Sequence, residues 1–466
     1  MIEYAHSSGT IIIIIMKAEM SEGAYPPDEP FFQEDWKVMR GKKFAAAAMA
    51  AILAAGSLTG CVKTIKPEYT AELPTGPEEA EVSVKAVDGI SDDFIRGMDL
   101  SSVLSEEKSG VKYYNADGEE QDVLLTFAEA GVNFVRLRVW NDPYDSDGNG
   151  YGGGNCDIDT ALALGERATK YGMKVCIDFH YSDFWADPSK QFVPKAWKDM
   201  DLGAKADALY DFTKESLKTL LDAGVDVEMV QIGNEINNGM SGETSMDSVI
   251  ALLKSGSRAV REASEKYKKD INIVIHYAQT QHRTRMMSLL KMLIDGGVDF
   301  DTVGLSYYPF WDGPMNNMTR CVEAIREKYD KDAIVVETSY AYTLKDGDGT
   351  ANSFGADQAL DTYPVTVQGQ ADCIRDVVAA AVDAGARGVF YWEGAWIPVG
   401  DNVNENKKLW EKYGSGWASS YAAEYDPNDA GQYYGGSSWD NQAFFDFKGN
   451  PLPSINVWRL LKYGTK

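Results

Sequence analysis

Two glutamates close two apolar runs in this 466-residue chain. Val-Glu-Met-Val-Gln-Ile (227–232) ends in Gly233-Asn234-Glu235, and Ala-Ile-Val-Val (333–336) ends in Glu337. A carboxyl that gives a proton and a carboxylate that attacks or activates are what acid–base cleavage of a glycosidic bond requires. Asn234, directly before the first glutamate, can hold a sugar hydroxyl beside the acid. For this chemistry both runs must be buried strands that end at one edge of the fold.

The rest of the chain supplies such strands. Apolar runs recur at 94–98, 132–140, 174–179, 227–232, 271–278, 302–308, 333–336 and 388–392. Helical patterns lie between them, at 158–171, 204–223, 248–267, 283–295, 318–329 and 369–384. Short continuous apolar strands alternating with helices predict a parallel sheet buried on both faces. Eight such units predict an α/β fold of the (β/α)8 TIM-barrel type, one catalytic domain over 91–466 with long loops after strands 7 and 8. An open doubly wound sheet is the alternative. No Gly-rich phosphate fingerprint follows the first strand, which counts against it. Barrel strands share one rim, and polar and aromatic residues gather at their ends: Asp99; Arg138, Trp140 and Asn141; Asp178, His180 and Tyr181; His276; Tyr307 and Tyr308; Trp392, Glu393 and Trp396. Singly, Arg138 reads equally well as a structural ion-pair member and His180 as a satisfied histidine under a loop. Their coincidence on one rim points to an active site.

Composition narrows the ligand. The formal charge of −26 argues against nucleic acid, anionic membrane and strongly anionic polysaccharide, unless a local basic patch exists. Eleven Trp and 25 Tyr supply aromatic faces suited to sugars, although most must pack the core.

The N-terminus reads as export machinery. Residues 1–38 lack periodic context and read as a segment upstream of a true start at Met39. Met39-Arg40-Gly41-Lys42-Lys43, the apolar run 44–56 and Leu58-Thr59-Gly60-Cys61 follow the order of a bacterial lipoprotein signal, 39–60. The apolar run is shorter than the ~20 residues a membrane span needs. Cleavage before Cys61 and a lipid on its sulfur are expected, giving a cell-surface lipoprotein held to the membrane only by that lipid. Residues 61–90 read as the lipidated cysteine and a flexible tether. The spacings of Cys156, Cys176, Cys321 and Cys373 fit no metal motif. Cys176 lies in an apolar strand and reads as a core thiol.

Longer motifs carry a resemblance. Arg-Leu-Arg-Val-Trp-Asn-Asp-Pro (136–143), Asp-Phe-His-Tyr-Ser-Asp-Phe-Trp-Ala-Asp-Pro (178–188), Gln-Ile-Gly-Asn-Glu (231–235), Gly-Leu-Ser-Tyr-Tyr-Pro (304–309), Val-Glu-Thr-Ser-Tyr (336–340) and Val-Phe-Tyr-Trp-Glu (389–393) resemble glycoside hydrolase family 53. That family is the endo-β-1,4-galactanases, within a larger clan of retaining (β/α)8 hydrolases. The resemblance covers nearly all of 91–466. It implies endo-cleavage of β-1,4-galactan, the side chain of type I arabinogalactan and pectin. It makes Glu235 the acid/base and Glu337 the nucleophile, with Arg138 near enough to favour the charged form of Glu337. Asn234 would bind the 2-hydroxyl, Tyr308 (or Tyr307, depending on strand phase) would hydrogen-bond the nucleophile, and Trp392 would floor the −1 subsite. Trp185 and Trp396 would stack on flanking galactoses, with Asp99 and His180 also at the substrate.

No cofactor is expected for the chemistry. Asp346-Gly-Asp348-Gly-Thr350-Ala-Asn352 offers oxygens at alternate positions, like half a calcium loop. The resemblance implies a structural calcium joining the loops after strands 7 and 8, with Ser437 and Asp440 as further ligands. Asp145-Ser-Asp147-Gly-Asn149 has the same spacing and reads as a turn. A monomer is expected. Two other functions stay open: a lipid-anchored, non-catalytic glycan-binding protein, and a same-clan hydrolase of another β-glycan such as β-mannan.

Overall fold

The computed structural model describes residues 63–466. Residues 1–62, with the signal segment and Cys61, lie outside the described residues. Eight strands close a barrel in sequence order: β1 Ile95–Asp99, β2 Phe134–Val139, β3 Lys174–Phe179, β4 Val227–Ile232, β5 Asn272–Tyr277, β6 Thr302–Ser306, β7 Asp332–Glu337 and β8 Gly388–Tyr391. Every adjacent pair is parallel. Each expected strand is present, and the barrel replaces the open-sheet alternative.

Helices cross from strand to strand: α1 Val123–Glu129, α2 Ile158–Lys170, α3 Leu202–Asp222, α4 Met246–Tyr267, α5 Arg283–Asp295, α6 Asn316–Tyr329 and α7 Val367–Ala384. Asp122, Asp157, Asp201, Ser245 and Thr366 cap five of them by accepting a first-turn N–H. The seven-residue α1 had no expected counterpart. Two turns of helix leave too little 3.6-residue periodicity to read.

Strand alternation divides the barrel into two environments. Val135, Leu137 and Val139 of β2 belong to the large core beneath the helices. The opposite face forms a separate apolar plug of Ile95, Phe134, Cys176, Met229, Val274, Ile334, Val336 and Phe390. Gly97 leaves room for it, since a Cβ there would lie 2.1 Å from the Phe390 ring. Two residues further along the same faces, polar side chains replace apolar ones: Arg136 after Phe134, Asp178 after Cys176, Gln231 after Met229 and His276 after Val274. The plug therefore forms a dry floor under a polar layer at the C-terminal rim.

The expectation of a flexible tether over 61–90 is corrected for its described part. Val82, Val84, Val87 and Ile90 are buried in the core. Val87 N donates to Leu461 O at 2.7 Å and Thr465 N to Val84 O at 2.8 Å. Further back, Glu68 N donates to Lys170 O and Lys63 N to Asp222 O. Glu81-Val82-Ser83-Val84-Lys85 alternates with period two, a signal of a half-buried extended strap. Cys156, Cys176, Cys321 and Cys373 are all free and buried. No helix among the described residues is long and apolar enough to cross a membrane.

Candidate active site

The polar layer is organised by Arg136. From β2 its Nη1 reaches Asp99 at 3.1 Å and Glu337 at 3.0 Å, and its Nη2 reaches Asp178 at 2.8 Å. Nη2 also donates to Gln231 Oε1 at 3.2 Å and Asn234 Oδ1 at 3.0 Å. One guanidinium thus ties β1, β2, β3, β4 and β7 together. Against burial, which raises it, Arg136 and His180 hold Asp178 below the usual carboxylate range.

Glu337 ends β7 and is buried. A register shift between Leu305 and Ser306 sets Ser306 beside it in the ladder. Its Oε2 accepts from Tyr308 Oη at 2.9 Å and its Oε1 from Arg136. Tyr307 turns away, donating to Gly313 O at 2.8 Å, so Tyr308 is the nucleophile-side tyrosine. Burial raises the Glu337 carboxyl, and Arg136 and Tyr308 act against that rise.

Glu235 follows β4 with φ of +47°, a left-handed conformation strained for a glutamate. Its backbone N–H donates to His276 Nδ1 at 3.3 Å. Gln231 Nε2 lies 3.0 Å and Asn234 Oδ1 2.9 Å from the same ring nitrogen, and the other ring nitrogen, Nε2, lies 2.8 Å from Ser306 Oγ. Ser306 Oγ in turn donates to Glu235 Oε1 at 2.7 Å. That leaves Oε2 to carry a transferable proton. Burial drives the His276 ring well below its ordinary pKa, so it stays neutral. Burial and the charge on Glu337 drive Glu235 well above the usual range.

Both glutamates line one cleft of ≈ 320 Å³, with His180, Trp185, Asn234, Tyr308, Trp392 and Trp396 among its walls. Asn234 uses Oδ1 on Arg136 and one Nδ2 proton on Ala186 O at 2.8 Å, leaving the other for a sugar hydroxyl. His180 accepts from Trp140 Nε1 at 3.0 Å and Ala186 N at 3.2 Å through Nδ1, and binds Asp178 at 3.0 Å through Nε2. Trp185 and Trp392 are half-buried at 6.0 Å between ring centroids.

Three expectations are corrected. Asp99 is fully buried and orients Arg136 and Arg138 instead of meeting substrate. Arg138 does not face Glu337. It pairs with Glu393, donates to Gly153 O at 2.7 Å and lies 4.4 Å beneath the Trp185 ring. Trp396 is 1% exposed and anchored to Ser415 O, so it backs Trp185 at the cleft wall and has almost no face free to stack on a galactose.

Sequence reasoning missed Arg136, two residues before the arginine it chose. It also missed Asp187, Lys190, Trp311, Trp417 and Trp439, which line the cleft from loops. Trp439 stacks edge-on against Trp392 at 4.5 Å, within the segment read only for oxygen donors.

The expected calcium ligands do converge. Carboxylate oxygens of Asp346, Asp348 and Asp440 lie within 4.8 Å of one another. Asp348 Oδ2 accepts from Ser437 N at 2.7 Å, and Asn352 Nδ2 donates to Asp440 Oδ1 at 2.8 Å. The Oδ1 of Asn352 is buried without a partner. Burial pushes Asp348 up to about 6 and, with the charge of Asp348, Asp440 up to about 7. This donor set fits a hard cation. The Ser437 side chain instead accepts from Trp439 N at 3.1 Å.

A family model described as glycosyl hydrolase family 53 matches residues 95–458. The chain is 49% identical to the endo-beta-1,4-galactanase of Bacillus subtilis (strain 168), covering 91% of this chain and 97% of the relative. It is 32% identical to the arabinogalactan endo-beta-1,4-galactanase of Cellvibrio japonicus (strain Ueda107), over 79% of this chain and 91% of that one. Among solved structures, the GH53 catalytic domain of Ignisphaera aggregans matches with a TM-score of 0.72 and 39% identity, over 82% of this chain and 99% of that one. Matches of this length and identity, on a barrel whose rim holds two glutamates in one cleft, make the chain a glycoside hydrolase belonging to glycosyl hydrolase family 53.

Proposed function

We propose that the protein is an endo-acting, retaining β-1,4-galactanase, with Glu337 as nucleophile and Glu235 as acid/base. The observation that carries this is the unequal treatment of two carboxyls in one cleft. Glu337 is held by Arg136 and Tyr308, both of which favour its charge. Glu235 has one neutral donor, Ser306, against burial and the charge of Glu337. In the first step Glu337 attacks the anomeric carbon while Glu235 passes its Oε2 proton to the leaving oxygen. The charge on Glu337 is then spent on the glycosyl bond, so Glu235 becomes more acidic and can take a proton from water. That water releases the sugar with net retention. Trp185 and Trp392 offer aromatic faces to the sugar chain. The relatives' activity toward galactan supports that substrate.

The test is reducing-sugar release from galactan, type I arabinogalactan and β-mannan, with Glu337→Gln in parallel and the first-formed anomer followed by NMR. Galactan cleavage giving the β-anomer first, lost in the variant, is the expected outcome. Cleavage of β-mannan alone would replace the substrate. Galactan binding without cleavage would make the protein a non-catalytic glycan binder.

We also propose a structural calcium held by Asp346, Asp348, Asn352 and Asp440, joining the loops after β7 and β8. It supplies no step of the chemistry. The order of basic, apolar and Leu-Thr-Gly-Cys segments supports a lipid on Cys61 and a place on the bacterial surface. Loss of the protein from the membrane fraction in Cys61→Ser tests that reading.

A further inference from the structure

A second groove, of ≈ 650 Å³, opens beside the first turns of α5 and α6. Arg283, Arg285 and Arg320 line it together with His282, and no carboxylate does. Among the other described arginines, Arg136, Arg138, Arg167, Arg261, Arg375, Arg387 and Arg459 each hold a carboxylate, whereas Arg96 and Arg326 hold backbone carbonyls and Arg258 lies over the Tyr210 ring. None of the three groove guanidiniums meets a carboxylate within 4.0 Å among the described residues. Arg285 reaches only the neutral oxygens of Asn237 and Asn238. Thr280, fully buried, also lines the groove, and its Oγ1 has no hydrogen-bond partner. The groove is thus a cationic concavity, with an unsatisfied hydroxyl, on a chain of net charge −26.

It adjoins the catalytic cleft on two sides. Arg285 holds Asn238, whose Nδ2 donates to Pro188 O at 2.6 Å, next to Asp187 of the cleft wall. Asn317 of the groove donates to Asp312 O at 2.7 Å, next to Trp311 of the cleft wall. Only the short segments after β4 and β6 separate the two. A glycan leaving the cleft over either segment would meet three guanidiniums that hold no carboxylate among the described residues.

We propose that this groove is an anion subsite for the carboxylate of a uronic acid in the glycan that carries the galactan chain. The proposal rests on the galactanase reading. A guanidinium fork matches a carboxylate with two parallel hydrogen bonds. A uronate joined covalently to the galactan is held at high effective concentration once the galactan is bound. The acidic remainder of the surface would repel a polyanion, and the groove offsets that repulsion locally, within a Debye length of about 8–10 Å.

The test compares neutral, backbone-free galactan with galactan still attached to a uronate-bearing backbone, for wild type and an Arg283→Gln/Arg320→Gln double variant. The expected wild-type kcat/KM is about five-fold higher on the charged substrate at low salt, as two exposed charge contacts allow. Methyl-esterifying the backbone, or raising salt, should remove the preference. The double variant should lack the preference while keeping wild-type kcat/KM on neutral galactan and an unchanged melting curve. No wild-type preference, a preference that survives esterification, or equal loss on both substrates in the variant overturns the proposal. Inactivity of the wild type on neutral galactan would instead overturn the substrate reading. Calorimetry with trigalacturonate then decides the groove separately: binding lost in the double variant supports it, and no binding, or binding equal in both proteins, overturns it. Inorganic phosphate in the same titrations separates carboxylate recognition from capture of any small anion. Displacement of trigalacturonate by equimolar phosphate would overturn the uronate assignment.

Discussion

Glu235 and Glu337 differ in who opposes burial, and pH should report that difference. Tyr308 donates to Glu337 and lowers its pKa. Tyr308→Phe should therefore move the acid limb of kcat/KM to higher pH and leave the alkaline limb in place. Ser306 donates to Glu235 and lowers its pKa. Ser306→Ala should move the alkaline limb to higher pH instead. Profiles in which both variants shift the same limb would contradict the division of roles. Substitution of the carboxyls themselves should separate further. Glu235→Ala should lose about 10²–10⁴-fold on galactan, but far less on aryl galactosides whose leaving groups need no proton. Glu337→Ala should fail on both, with azide restoring turnover as a glycosyl azide of inverted configuration.

The loops after β7 and β8 are elements with little apolar surface of their own on the Asp346–Asn352 side. They meet through Gly347 N to Asp440 at 2.9 Å, Ser437 N to Asp348 and Ser353 N to Ser438 O at 2.8 Å. Two buried carboxylates brought together this way repel each other, and a cation would offset that repulsion. Because it would bind only the folded loops, calcium at 100 times its dissociation constant should add about 2.7 kcal/mol of stability. Exhaustive chelation should lower the melting temperature, and calcium should restore it. An unchanged melting curve would remove the cation and leave the catalytic reading intact.

Across the whole molecule, the strap at 63–90 changes what the domain is. Val82, Val84 and Val87 are each no more than 3% exposed, and burying such a side chain contributes about 1.5–3 kcal/mol. Removing residues 63–87 should lower the melting temperature substantially, whereas loss of a free tether would leave it unchanged. Thermal unfolding of the truncated and full chains decides between them. The strap's valines went unread because three apolar residues in a Pro- and Glu-rich stretch do not dominate its composition. Their partners, Leu461 and Thr465, come from the far end of the chain.

All eight strands and six of the seven labelled helices were legible in the chain, because strand and helix periodicities are local. The catalytic pair was legible too, since each glutamate follows an apolar run and every such strand opens on the same rim. The environment of the pair was not. Arg136 and Arg138 have the same residue type, lie on the same strand and point to the same face. They differ only in depth, by about 6.6 Å for two residues of strand rise. Which of them meets Glu337 depends on the stagger of eight strands around a closed barrel, and each strand's register depends on its neighbours. The same holds for Asp99, fully buried beneath the rim it was expected to line, and for Trp396, covered by loop residues hundreds of positions from its partner Trp185. Residue types and spacing settled the chemistry and the architecture. Depth, exposure and pairing were left to the packed molecule, because they arise from contacts between segments that no local pattern records.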